Sequence, residues 1–213
     1  LAGGHLAERL IGCLGAAVCI MLTILVCAAL PLAAGDLPII VAPLGASAVL
    51  VFAVPASPLA QPWPVVGGNV VSSLIGVAIY RTIPDATVAA GVAVGLAILA
   101  MSLLRCLHPP GGAAALTAVI GSQGIHAAGY DFAFAPVGIN SIALVSLAMF
   151  FHRATARSYP HRPAPAPAAA AALHPADIDA AIEDMHESFD ISREDLGVLL
   201  ARAEIHAAAR RAR

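Results

Sequence analysis

Arg105-Cys-Leu-His-Pro-Pro-Gly-Gly112 closes one apolar run, Ala86 to Leu107, and opens another that stops near Gly121. Two prolines preclude a helix running through this point, and two glycines admit close backbone approach and unusual dihedrals. The break falls inside the most apolar part of the chain, and non-helical backbone at membrane depth is tolerated only where it is buried or lines a cavity. The stretch therefore reads as the start of a short helix set among long membrane helices.

The rest of the chain supports that reading. Its 213 residues are 60% hydrophobic and 11% charged, with a mean hydropathy of +0.87, so lipid must cover most of its surface. Between Ile11 and Phe151 the charged residues are Asp36, Arg81, Asp85, Arg105 and Asp131, too few for a water-facing domain. All basic charge is arginine. A net charge of −2 and the lack of a basic stripe argue against a nucleic-acid partner. Cys13, Cys19, Cys27 and Cys106 sit in or beside apolar segments without C-x-x-C spacing and read as small buried hydrophobes.

Six apolar segments follow from this pattern: Leu10 to Leu30, Ile39 to Val54, Val65 to Tyr80, Ala86 to Leu107, His108 to about Gly121, and about Phe134 to His152. The second and fifth are too short to cross a bilayer unaided. Between the second and third, the Pro-rich stretch Pro55 to Pro64 reads as non-helical, with Trp63 suited to the membrane–water interface. The fold class expected is all-α, a polytopic membrane helical bundle.

An internal repeat is visible. Ala42-Pro-Leu-Gly-Ala-Ser-Ala-Val-Leu50 aligns with His108-Pro-Pro-Gly-Gly-Ala-Ala-Ala-Leu116, and Gly67-Gly-Asn69 aligns with Gly138-Ile-Asn140. Each pseudo-repeat is a long span, a short Pro/Gly-opened helix and a Gly-x-Asn-opened span. Arg9 before the first span and Arg153, Arg157 and Arg162 after the last put both termini in the cytoplasm. Four crossings with re-entrant short helices and six crossings with inverted units both satisfy this placement.

After Arg153 the composition changes. Residues 1–160 read as the membrane domain, 161–175 as a Pro/Ala linker and 176–213 as a soluble helical connector, with Ser192 capping the second of two amphipathic helices. That second helix carries an apolar stripe of Leu196, Leu199, Leu200 and Ala203. A chain opening on Leu1 reads as a processed or truncated piece.

The chemistry points to helix starts. Short helices opening at Pro43-Leu-Gly45-Ala46-Ser47 and at His108-Pro109-Pro110-Gly111-Gly112 would aim free N–H groups and positive dipole ends at a common site, a receptacle for a small anion. The competing reading is two tight turns made for helix packing. Arg105 attracts the anion or snorkels to the interface. His108 binds a cation, relays protons or caps backbone. Asn69 and Asn140 line the site or cap their helices, and Ser47, Ser72, Ser73, Thr117 and Ser141 add hydroxyls or bond back to their own helices. Gly91 and Gly95 make a G-x-x-x-G match that permits a homo-oligomer. No enzyme signature occurs, Cys106 with His108 makes an incomplete metal site, and no cofactor is expected.

At Ala42-Pro-Leu-Gly-Ala-Ser-Ala48, Pro55-Ala-Ser-Pro-Leu-Ala-Gln-Pro-Trp63, Gly67-Gly-Asn69 and Leu107-His-Pro-Pro-Gly-Gly112, the sequence resembles the HPP family of integral membrane proteins over about residues 10–160. The resemblance implies four spanning helices, a bacterial inner-membrane location and, by analogy with plastid and cyanobacterial members, nitrite transport. Bacterial members often continue into a pair of nucleotide-binding CBS domains, and Asp177 to Leu196 looks like the connector toward such a pair. The pair is not among these residues. The alternative is a membrane scaffold or sensor that signals through its tail.

Overall fold

The computed structural model describes residues 6–29, 38–163, 174–185 and 190–211. The core of the Pro/Ala linker, 164–173, lies outside the described residues, as does Asp36. Described residues are overwhelmingly helical, with no strand among them. The spans are α1 (Leu6–Ala28), α3 (Pro62–Thr82), α4 (Ala86–Leu103) and α7 (Ile139–Ala154), the last extended toward Ala133 through a break at Ala135. These four are long and apolar enough to cross a membrane. Between them lie the short α2 (Pro43–Ala53) and α5 (Pro109–Ile120), and α6 (Gln123–Ala128). With 11 and 12 residues, α2 and α5 reach about 16–18 Å.

Contacts at both ends of each helix fix the path. Arg157 Nη2 donates to Glu8 O, so the start of α1 lies beside the end of α7. Asn140 of α7 meets Cys27 at the other end of α1. The segment entering α2 is held there too, by Val41 N–H on Asn140 Oδ1, whereas the segment leaving α2 is held by Tyr159 and His161 beyond α7. From there α3 returns, α4 runs back to bring Leu104 O against Trp63 Nε1, and α5 runs alongside α3 from Gly68 to Gly76. In chain order α1, α2 and α3 run up, down and up, and α4, α5 and α7 run down, up and down. The chain passes onward after each short helix and does not turn back, although only four of its passes are full length.

Small residues make the close crossings. On α3, Gly68, Ser72 and Gly76 share one face. A Cβ at Gly68 would lie 2.8 Å from Cys106 O, and one at Gly76 would lie 2.4 Å from Ala115 O. Opposite them are Gly111, Ala115 and Ala118 of α5. Helix α4 joins through Ala89, Ala93, Ala97 and Met101, each one turn from the last and each buried. Gly91 and Gly95 are off this face, and a side chain at either would meet nothing within 4 Å. On the other side of the bundle, α1 presents Gly12, Gly15, Cys19, Thr23 and Cys27 to α2 and α7. Cys13 departs from the expectation for the cysteines: it faces outward, while Cys19, Cys27 and Cys106 are buried.

The Pro-rich stretch is also more helical than expected. Pro58–Ala60 form a 3-10 turn, and α3 starts at Pro62, so Trp63 and Pro64 lie in its first turn. Prolines fit there because the first N–H groups of a helix have no intrahelical acceptor. Beyond the linker, α8 (Pro175–Met185) and α9 (Arg193–Arg211) are helical. Ser192 Oγ accepts from Asp195 N–H, the expected cap, and Arg193 pairs with Asp179. No residue of α9 is buried, including its Leu196, Leu199, Leu200 and Ala203 stripe.

Candidate functional site

The His108 turn and the first turn of α2 meet at the centre of the bundle. The extended backbone of His108 (φ −142, ψ 107) precedes Pro109 and Pro110, which open α5, and folds the imidazole back under α3. His108 Nδ1 lies 2.8 Å from Leu59 O, and Nε2 lies 2.8 Å from Ser47 Oγ. A carbonyl only accepts, so Nδ1 carries the proton, and in the neutral ring Nε2 accepts from the Ser47 hydroxyl. Ser47 Oγ in turn accepts from Asn69 Nδ2 at 3.3 Å, and Asn69 Nδ2 also donates to Ser141 Oγ at 3.1 Å. His108, Ser47, Asn69 and Ser141 are all fully buried and come from four different helices or their caps.

Three further buried polar atoms on this stretch of α3 find no hydrogen-bond partner within the protein: Asn69 Oδ1, Ser72 Oγ and Ser73 Oγ. Positions 69, 72 and 73 share one face of α3. A buried polar group left unpaired costs about 1–3 kcal/mol. Three on one helix face make a polar seam that suits water or a small polar solute. No side chain in the seam carries a formal charge. Asp85 and Asp131 are exposed; Asp85 caps α4 through Val88 N–H.

The structure sorts the sequence-derived candidates. His108, Ser47 and Asn69 come together in the seam. Pro43 and Pro110 are buried beside it. Gly111 packs on Ser72, since a Cβ there would lie 2.7 Å from Ser72 Oγ. Gly45 and Ala46 are exposed, as is Pro109, and Gly112 has room for a side chain. Asn140 is elsewhere: Oδ1 accepts from Val41 N–H, and Nδ2 donates to Ile39 O and Cys27 Sγ, so it clamps the segment entering α2. Neither asparagine caps a helix. Thr117 bonds back to Ala113 O.

Arg105 is exposed and outside the seam. With φ 53 it occupies the left-handed position that ends α4, where Cys106 N–H reaches Met101 O and Arg105 N–H reaches Ser102 O. The expected free backbone donors are also engaged. Pro43, Pro109 and Pro110 have none, and the N–H groups of Leu44, Gly45 and Gly111 go to Val41 O, Ala42 O and His108 O. What remains at the helix starts is the positive dipole end and the side-chain hydroxyls and amides.

Two histidines that the sequence did not single out close the far ends of the short helices. His152 Nε2 donates to Val51 O near the end of α2 while its ring stacks on Phe52. His126 Nε2 donates to Val119 O near the end of α5 while its ring stacks on Tyr80. Each satisfies a carbonyl that its helix leaves without an N–H.

The seam is tied to the tail. Ser57 Oγ donates to Asp190 Oδ1 at 2.6 Å and accepts from Leu59 N–H, and Leu59 O is the acceptor for His108. Tyr159 OH donates to Ala60 O in the same loop, and burial pushes this phenol's pKa up, so it stays a donor.

Comparison with known proteins places this architecture. The family model for the HPP transmembrane region matches residues 2–160. A transmembrane protein of Dictyostelium discoideum is 40% identical over 120 residues, covering 54% of this chain and 38% of that protein. A second from the same organism is 36% identical over 130 residues, covering 59% of this chain and 45% of its own length. The chain spans less than half the length of these relatives. No solved structure matches it. The chain belongs to the HPP transmembrane-region family.

Proposed function

We propose that the protein carries a small monovalent anion, nitrite by family analogy, across the bilayer through the seam on α3. The observation that carries this reading is the pair of unpartnered buried hydroxyls at Ser72 and Ser73; Asn69 Oδ1 beside them is an acceptor and suits a water that accompanies the ion. Hydroxyl protons can turn toward an anion, the positive ends of α2 and α5 meet beside them, and no carboxylate competes. A singly charged ion is the most that uncharged donors compensate in a low-dielectric site.

The opposite directions of α1–α3 and α4–α7 suit two inverted units that alternate access to a central site. Arg105, Arg153, Arg157 and Arg162 lie toward the face where α1 begins and Arg81 toward the other, an asymmetry that supports a cytoplasmic assignment for the former face. In this reading residues 1–160 are the transporting domain of a bacterial inner membrane protein, 161–175 the linker and 176–213 a cytoplasmic connector. A role without enzymatic chemistry or cofactor fits the seam's neutral side chains.

Purified protein in proteoliposomes should take up nitrite faster than protein-free vesicles, with nitrate, formate and chloride setting the selectivity. Uptake of none of the four would remove the transport reading. A scaffold or sensor role would then draw on the hydrogen-bonded route from Asp190 through Ser57 and Leu59 to His108.

A further inference from the structure

We propose that a recess at the end of α7 binds the phosphate headgroup of an anionic phospholipid. It measures about 450 Å³ and is lined by Met149, Arg153, Arg157, Ser158, Tyr159 and Arg162, with Pro160 at its edge. Among the described residues, none of the three arginines forms an ion pair. Arg157 spends one N–H on Glu8 O. Among the described residues, no carboxylate lines the recess. Three cations facing one recess repel one another, and an anion between them relieves that repulsion.

The arginines are not needed to finish α7. Its last carbonyls already accept from backbone: Phe151 O from Thr155 N–H, His152 O from Arg157 N–H and Arg153 O from Ala156 N–H. Their charge is therefore available to a ligand. Guanidinium groups give a phosphate forked, charge-assisted hydrogen bonds; the Ser158 hydroxyl beside them is already donated to Pro160 O, so the arginines carry the recognition.

The apolar side of the recess selects a lipid over free phosphate. Met149 forms one wall, one turn before Arg153. Next to it Phe150 is 75% exposed, and about two turns further into the bilayer-spanning helix Ile142 is 55% exposed. Within one helical turn the surface passes from cationic to bare hydrocarbon. A phospholipid has the matching profile, with phosphate at the interface and acyl chains below. The site does not depend on what the seam carries.

Native mass spectrometry of the full chain, released from micelles of an uncharged detergent, tests this. Short-chain phosphatidylglycerol should saturate one site about ten-fold more tightly than phosphatidylcholine of the same chain length. Replacing all three arginines by glutamine should bring the two lipids level, while arginine-to-lysine replacements keep most of the preference. If the triple variant does not fold, Arg162→Gln, which lies beyond the helix, should still weaken phosphatidylglycerol binding several-fold. Equal binding of both lipids by the unmodified protein would overturn the proposal. So would inorganic phosphate that displaces phosphatidylglycerol at millimolar concentration, because the apolar wall would then contribute nothing.

Discussion

The two short helices share a Pro-x-Gly opening but are built differently behind it. Helix α5 is locked to α3: Gly111 abuts Ser72 and Met101, Gly68 abuts the His108 turn, and Gly76 abuts Ala115 and Ala118. Helix α2 relies more on side chains: Asn140 on its entry, Ser47 on His108 and His152 on Val51, with its own Gly45 in open space and one close backbone approach at its far end, where Gly12 of α1 abuts Phe52 O. Close backbone packing runs along the start and middle of α5, whereas α2 has it only at its far end and is held at its start by exchangeable hydrogen bonds. The seam lies between them, so relative movement of α2 is the less costly way to open it.

The largest effect expected from this contrast is at the locked helix. Gly68→Val would press on Cys106 O and the base of His108, backbone and rigid atoms with little room to yield, and should cost about 3 kcal/mol, the upper end for overpacking. Thermal unfolding in detergent would show it as a lost or sharply lowered transition. Gly45→Ala, at the position of α2 that aligns with Gly111 of α5, should gain about 0.5–1 kcal/mol, because nothing lies within 4 Å and alanine is the better helix former. Equal losses at both positions would erase the distinction.

A smaller loss is expected at the hydrogen-bonded helix. Asn140→Ala leaves Val41 N–H and Ile39 O without their partner and should lower stability by about 2–3 kcal/mol. Limited proteolysis should then cut first in the segment before α2, leaving α3, α4 and α5 intact. First cleavage around α5 would place the weak point on the wrong side of the seam.

The smallest effect concerns Arg105. A non-glycine residue in the left-handed region costs about 1 kcal/mol, so Arg105→Gly should raise the melting transition slightly and leave transport unchanged. A fall in apparent anion affinity would return Arg105 to the transport path.

Spans, short helices and the approach of the two short-helix starts were legible in the sequence, because hydropathy, proline position and a repeated motif record them directly; the bond between His108 and Ser47 was not. Which glycines matter was not. Gly91 and Gly95 have the textual spacing of a packing motif yet face outward, while Gly68, Ser72 and Gly76 include a serine that hides the same spacing. Asn69 and Asn140 align as repeat partners, but one lines the seam and the other clamps a loop. Their roles depend on the chain that packs opposite, which local sequence does not encode. Likewise, the free donors expected at the helix starts are consumed by tight turns, a consequence of proline lacking an N–H and of the turn geometry that proline favours.

The central claim is that the unpartnered atoms on α3 exist for a passing solute. Ser72→Ala with Ser73→Ala removes two buried hydroxyls that make no hydrogen bond within the protein. By the cost of an unsatisfied polar group, the double variant should be as stable as the unmodified protein, or more so. Measured side by side in proteoliposomes, it should lose most of the nitrite flux while its unfolding temperature holds or rises. Unchanged flux in a folded double variant would contradict the account.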